Sequence, residues 1–212
     1  MKQKQADDAD GSFQQGLLLT VRGGRESQFV GLLNAGFMIK IPGPEPVKTF
    51  LCDRIGLDPS YFDERIQTLF LNSKPVDDPA RAVVGDGSIL ALSAAMPGLV
   101  GAIFRKGGRY RWMRDSISHP DDHDAASGKT GWVTVKLFNL ILKELGPFFL
   151  EGGLWLKGET IQAFFTDQIG NLAGHVLSAF WNGREMVPGV MAGISWPDGP
   201  VYIRIVGDRP VQ

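Results

Sequence analysis

Residues 66–102 (IQTLFLNSKPVDDPARAVVGDGSILALSAAMPGLVGA) decide the fold expected for the first half of the chain. An apolar run at 66–71 turns into a short strand at 75–76, and a Gly-Asp-Gly turn at 85–87 leads into a second apolar run at 88–93. Apolar runs bounded by Asn, Gly and Pro are typical of β-strands. The stretch therefore predicts strand, turn, short strand, turn and strand, followed by a tail of small residues.

The sequence before this stretch supplies further elements. Residues 17–22 (LLLTVR) predict a strand, and the runs 28–33 and 37–41 around Asn-Ala-Gly predict a hairpin. In 47–56 (VKTFLCDRIG) the apolar residues share one helical face, and Gly56 stands where a helix would end.

This order of hairpin, helix, strand, short strand and strand resembles the β-grasp fold. It is most similar to the small sulfur-carrier proteins of molybdopterin and thiamine synthesis, which carry a polar turn, a Gly-Asp turn, a final apolar strand and a terminal Gly-Gly. Residues 71–76 (LNSKPV) and 85–87 (GDG) occupy the matching places, and the likeness covers about residues 26–102. The resemblance implies a ubiquitin-like first half. The resemblance also implies a sulfur-carrier role. We keep this role only as an alternative, because the carriers end in a free Gly-Gly whereas this chain continues beyond residue 102.

Residues 105–108 (RKGG) are similar to the end of a ubiquitin-like modifier. A carrier tail must stay exposed, whereas 94–104 before it is strongly apolar. We therefore expect Gly107-Gly108 to form a tight turn, where glycine tolerates positive φ, and to remain uncut.

A basic and aromatic segment follows at 105–114. On a strand Arg105, Arg109 and Arg111 would share one face, opposite Tyr110 and Trp112. Arginine forks suit phosphates and carboxylates, so these three arginines are candidate anion-binding residues. The preferred interpretation is a half-buried strand with the two aromatic side chains in the core and a solvated basic face.

The polar segment 118–124 (SHPDDHD) contains the candidate metal ligands His119, Asp121, Asp122 and His123. Imidazole and carboxylate groups at this density suit zinc or another divalent ion. Residues 119–122 also resemble the His-Pro-Asp-Asp motif of zinc-dependent N-acetylglucosamine deacetylases. The preferred interpretation is a solvated acidic loop, and a metal-dependent hydrolase or metal-binding protein is the first alternative.

A metal scan of purified protein distinguishes these interpretations. The alternative predicts stoichiometric zinc that is lost in His119→Ala or His123→Ala, because each variant removes one nitrogen ligand. A protein that purifies without metal contradicts the alternative.

The second half predicts further helices and strands. Residues 132–145 predict mostly helix ended by Gly-Pro, 154–156 a strand, and 161–180 a long helix. Residues 191–196 and 201–206 predict a closing hairpin. Because strands and helices are segregated rather than alternating, the fold class expected is α+β.

Composition excludes several classes of protein. The net charge of −1 and the pI near 6.3 give no general attraction to nucleic acid or anionic membranes. One cysteine, Cys52, excludes an internal disulfide and a cysteine-based metal cluster. No apolar run is long enough to span a membrane, so we expect a soluble, cytoplasmic protein.

The predicted organisation is a disordered tail at 1–15, a β-grasp-like domain at 16–104, a connector at 105–130 and an α+β domain at 131–212. No catalytic constellation stands out, so we expect a non-enzymatic binding or assembly module that needs no cofactor. We expect a protein partner or a homo-oligomer, because the second half carries many large apolar side chains. These are Phe148, Phe149, Leu154, Trp155, Trp181 and Trp196.

Overall fold

The structure, a computed structural model, describes residues 16–110, 113 and 130–208. The predicted tail 1–15 lies outside these residues. The chain divides into two compact units: of the described residues, unit 1 takes those from 38 to 141, and unit 2 takes 16–37 and 142–208. The sequence predicted domain boundaries at 104 and 131. Both positions lie within the part of the chain that forms unit 1.

The fold is α+β, as the sequence predicted. The strands are β1 (Gly16–Arg22), β2 (Phe37–Ile41), β3 (Glu45–Pro46), β4 (Thr68–Leu71), β5 (Lys74–Pro75), β6 (Val83–Val84), β7 (Ile89–Ser93), β8 (Gly131–Phe138), β9 (Leu154–Lys157), β10 (Val176–Trp181), β11 (Arg184–Glu185) and β12 (Pro200–Asp208). The α-helices are α1 (Pro59–Arg65), α2 (Gly98–Phe104), α3 (Asn139–Gly152) and α4 (Gly158–Leu172).

Unit 1 is built on strands in the order β2-β8-β7-β4-β5, with β3 and β6 forming a separate antiparallel ribbon. β7 pairs in parallel with β8 and antiparallel with β4, which in turn forms a hairpin with β5. The predicted strands at 66–71 and 88–93 are thus confirmed as β4 and β7. Asn72 and Ser73 both have positive φ, at 50° and 67°, as a two-residue hairpin turn requires.

The helix predicted at 47–56 is present, but its hydrogen bonding is that of a π-helix, which is wider than an α-helix. Residues Thr49–Arg54 make a π-helical turn that buries Phe50 and Leu51, and Gly56 ends the segment with φ +83°. Asp58 then caps α1, because its carboxylate accepts the Tyr61 N–H at 2.9 Å and Pro59 occupies the first turn.

Of the hairpin predicted at 28–33 and 37–41, the second strand is confirmed as β2, but the first strand and the pairing are wrong. Residues Glu26–Leu33 form a 3-10 helix, and within unit 1 β2 lies beside β8. The buried side chains Phe29, Leu32 and Leu33 recur at intervals of three and four, which is helical spacing rather than strand alternation.

The helix predicted at 132–145 is also wrong in its first half. Residues 131–138 form β8, in which inward residues are buried and outward ones are not. Its Trp-Val-Thr-Val start favours a strand because β-branched side chains fit a pleated surface. α3 then continues through Pro147, where the burial of Leu145, Phe149 and Leu150 offsets the roughly 3 kcal/mol that an interior proline costs.

The C-terminal predictions are confirmed in part. β9 and β12 lie where strands were expected, but the predicted helix at 161–180 ends at Leu172 and gives way to β10. Residues Pro188–Gly193 form a 3-10 helix, so the closing hairpin is wrong. β12 pairs instead with β1 and β9, because its inward isoleucines align with buried residues of both strands.

Unit 2 has strands in the order β11-β10-β1-β12-β9. β1 pairs in parallel with β12 and antiparallel with β10, and β12 pairs antiparallel with β9. α4 and the 3-10 helices cover one face, where Phe165 stacks on Trp196 at 6.2 Å between ring centroids. The large aromatic side chains predicted to form an interface make ring contacts within this unit. No described helix is both long enough and apolar enough to cross a membrane.

Gly153 provides a sharp test of the α3–β9 turn in unit 2. It has φ +85°, donates its N–H to the Phe149 carbonyl at 3.0 Å, and has the Tyr202 ring where a Cβ would stand. We expect Gly153→Ala to lower the free energy of unfolding by about 1–3 kcal/mol, measured by urea titration. The control is Gly170→Ala in α4, where nothing lies within 4 Å and the change should raise stability by about 0.5–1 kcal/mol. Equal effects of the two substitutions would contradict this account.

Candidate binding surface

One face of the unit 2 sheet is open. We define the open face as the outward side chains of its five strands, none of which is buried; Leu18 is 40% exposed. These residues are Leu18, Thr20, Arg22, Trp155, Lys157, Ser178, Phe180, Glu185, Pro200, Tyr202, Arg204, Val206 and Asp208. Of the residues that alternate with them, Trp181 is partly exposed and Arg184 is exposed, and ten are buried under the helices of unit 2. They are Leu17, Leu19, Val21, Leu154, Leu156, Val176, Ala179, Val201, Ile203 and Ile205.

Strand register arranges the open face in rows. In the first row Glu185 of β11 lies opposite Phe180, Phe180 opposite Leu18, and Leu18 opposite Arg204. Directly paired residues of neighbouring strands point to the same side of a sheet. The apolar side chains of Phe180 and Leu18 therefore lie between the acidic Glu185 and the basic Arg204.

A second row lies two residues further along. Ser178, Thr20 and Val206 are paired across β10, β1 and β12. Met186 donates its N–H to the Ala179 carbonyl at 2.9 Å, which extends the β11 ladder and places Val187 opposite Ser178 by alternation. Val187 is 70% exposed, so this row has an apolar residue at each end.

Aromatic side chains widen the open face on the β9 side. Trp155 and Tyr202 meet edge to face at 5.4 Å. Burial raises the pKa of the Tyr202 hydroxyl, and the charge of nearby Arg204 acts in the opposite direction. The hydroxyl therefore stays protonated at neutral pH, and the pair offers apolar area with a polar tip, a combination enriched at protein interfaces.

Two edge strands, β5 of unit 1 and β11 of unit 2, are poorly suited to bind a further strand. β5 contains Lys74 and Pro75, and β11 contains Arg184 and Glu185, each over two residues. Short edges with charges or proline discourage strand addition. Binding to unit 2 is therefore favoured on the open face rather than at the β11 edge.

A shallow cleft of about 480 Å³ lies in unit 2 between the 3-10 helix Glu26–Leu33 and α4. Its ionisable lining residue is Glu159, whose carboxylate lies 3.5 Å from the Lys157 ammonium. Without a nucleophile or an acid–base pair in its lining, the cleft provides no basis for catalysis.

The predicted metal ligands His119, Asp121, Asp122 and His123 lie outside the described residues, so the zinc alternative stays a prediction. Within residues 16–110, 113 and 130–208, no three side chains of metal-binding type lie close enough to hold an ion.

The predicted strand at 105–114 is wrong over 105–110. These residues form a bend and turns, because Gly107 adopts φ +62° and Gly108 donates to the Arg105 carbonyl at 2.9 Å. Tyr110, expected in the core, is exposed. Arg105 and Arg109 are both exposed, and anion binding by them stays a prediction; Arg111 lies outside the described residues.

Gly107-Gly108 forms the expected tight turn, and Lys106 anchors it in unit 1. The Lys106 main-chain N–H donates to the Gln67 carbonyl at 2.7 Å, and the Gly107 N–H donates to Asp77 Oδ1 at 3.3 Å. Lys106 Nζ lies 4.3 Å from the Phe62 ring centroid and 3.5 Å from the Phe62 carbonyl, near the end of α1. These contacts argue against a free carrier tail.

Cys52 has little nucleophilic character. The thiol is partly buried, and burial raises its pKa despite the opposing charge of Lys48. The thiol form predominates at neutral pH, in agreement with the sequence-based interpretation of Cys52 as a small apolar residue.

Sequence reasoning missed the open face. The signal available was Leu18 within the unbroken run Leu17-Leu18-Leu19: a strand open on one side should alternate apolar and polar residues, and this one does not. Phe180 lay within a predicted helix, so its alignment with Leu18 was hidden. No protein-family model, curated protein or solved structure matches this chain.

The Lys106 anchor predicts a pH dependence of stability. Burial lowers the pKa of Lys106 from its ordinary value of 10.5, partly opposed by the Asp63 carboxylate. Between the two pKa values the unfolded chain binds more protons, so the free energy of unfolding rises with pH there. We expect the wild type to gain stability relative to Lys106→Met as the pH rises toward the unfolded-state pKa of about 10.5, measured by urea unfolding. Lys40→Met, at an exposed lysine of β2, should follow the wild type. Parallel curves for wild type and Lys106→Met would contradict the prediction.

Proposed function

We propose that this protein is a non-enzymatic binding or assembly module that binds a protein through the open face. The observation that carries the proposal is the contrast between the two sides of the unit 2 sheet: the inward apolar side chains other than Trp181 are buried, whereas no outward one is. A sheet face on which Leu18 is exposed and Phe180 and Val206 are partly exposed leaves apolar area in water. Contiguous apolar area of this kind marks interaction sites.

The chemistry of the open face favours a protein over a nucleic acid. The basic groups of the face are balanced by carboxylates: Glu185 lies in the row of Arg204, Asp208 beside Arg22, and Glu159 3.5 Å from the Lys157 ammonium. Nucleic-acid binding needs an excess of basic groups to neutralise phosphates, and the whole chain carries a net charge of −1. An apolar and aromatic centre with charges of both signs at the rim is typical of protein interfaces.

We interpret unit 1 as a β-grasp-like domain in which one strand is replaced by another. Such a domain supports an assembly role. From β2 onward it has the expected order of helix, strand, short strand and strand. The missing hairpin strand is replaced by β8, which lies between β2 and β7 and pairs in parallel with β7. The anchored turn at Gly107 suits a scaffold rather than a carrier of activated groups.

Hydroxyl-radical footprinting in native cell extract and in dilute purified protein tests the proposal. A bound partner should protect Leu18, Phe180 and Trp155 in the extract because it removes them from water. We expect Leu18→Ser/Phe180→Ser to weaken partner retention at least tenfold, since each side chain contributes about 1.5–3 kcal/mol when fully buried.

The control for this experiment is Leu140→Ser, at a 51% exposed leucine of α3 in unit 1. It should retain partners as the wild type does, and Leu140 itself should show no protection. Equal modification of the open face in extract and in dilute solution would exclude the proposed function.

A further inference from the structure

We infer that the open face binds a second copy of this chain, through a two-fold axis that runs parallel to the strands and passes between β1 and β10. This inference rests on the proposed function and names its partner. The rows of the open face carry residues that match one another about this axis.

A two-fold axis in this position reverses the strand order of the partner sheet while keeping the rows aligned. In the first row, Phe180 of one copy then faces Leu18 of the other, and Glu185 faces Arg204. By symmetry each contact occurs twice. The row therefore buries apolar groups at the centre and forms an ion pair at each end.

The second row matches under the same operation. Thr20 faces Ser178, so the two hydroxyls can exchange a hydrogen bond, and Val206 faces Val187. Polar residues meet polar ones and apolar residues meet apolar ones in both rows. The register of a single sheet thus satisfies the self-complementarity that an isologous interface requires.

Other axis positions do not match. An axis along β1 would set Phe180 against Arg204, and an axis along β10 would set Leu18 against Glu185. An axis between β1 and β12 would set Leu18 against Arg204. Each of these arrangements places a charge on an apolar side chain, which costs desolvation energy without compensation.

The charges at the row ends are available for such pairing. Among the described residues Glu185 has no ion-pair partner. Arg204 donates through Nε to the Glu151 main-chain carbonyl at 3.0 Å and, in the described part of the chain, forms no ion pair with a carboxylate. Two sheets stacked about 10 Å apart with nearly aligned strands would bring the two groups together.

Sedimentation velocity of the full chain over a range of concentrations tests the inference. We expect a reversible dimer in the wild type. Glu185→Arg and Arg204→Glu should each raise the dimer dissociation constant about tenfold or more, because each replaces two attractive contacts by two repulsive ones. Combining the two substitutions should restore dissociation to within about threefold of the wild type, since the pairs are re-formed with reversed polarity.

Arg184→Glu is the matched control, because Arg184 is the other residue of β11 and points to the opposite side of the sheet. It should leave the dimer unchanged. A wild-type chain that stays monomeric, or a dimer that neither single reversal weakens, would overturn the inference. If the chain is monomeric and the open face is still protected in extract, the second copy is excluded and protein binding is retained. A monomer with no protection excludes both.

Discussion

The parallel pairing of β1 with β12 is the constraint on which unit 2 depends. It runs without interruption from Gly16 opposite Tyr202 to Arg22 opposite Asp208. β10 adds to one side of this pair and β9 to the other, so the register of the pair sets the rows of every neighbouring strand. A slip of one residue would carry Leu17, Leu19, Ile203 and Ile205 from the core to solvent. Both the buried core and the open face are therefore consequences of one alignment.

The sheet of unit 2 is exceptional in leaving an aromatic face uncovered. Parallel strands usually lie between two layers, because both of their faces are apolar. Here one layer of helices covers the side of Phe165 and Met191, and the other side keeps Leu18, Phe180 and Val206 in contact with water. Unit 2 thus has two layers, although its sheet carries apolar side chains on both faces. The second copy inferred above would supply a third layer.

The sequence predicted the turns and several strands correctly, but it misassigned other segments and did not show the long-range strand pairing. Turns set by backbone chemistry, at Asn72, Gly56 and Gly107, were expected where they occur, because positive φ restricts which residues fit. The segment 26–33 was misassigned because a short apolar run fits both a helix and a strand. The partners of β1 and β8 could not be read locally, since each lies more than 35 residues from its parallel neighbour. The open face was missed for the same reason: it exists only once β1, β10 and β12 are aligned.

The described residues of unit 1 lie between the two sequence segments that form unit 2. This order along the chain determines which unit is fully synthesised first. All the described residues of unit 1 lie in one stretch between 38 and 141, whereas unit 2 joins 16–37 to 142–208. On the ribosome, β1 is made early but has no strand partner in unit 2 until β10 emerges, roughly 150 residues later. At 5–20 residues per second that delay is about 10–30 s. Throughout this interval the apolar Leu17–Leu19 segment lacks both of its strand partners, and unpaired apolar segments of this kind are prone to aggregate.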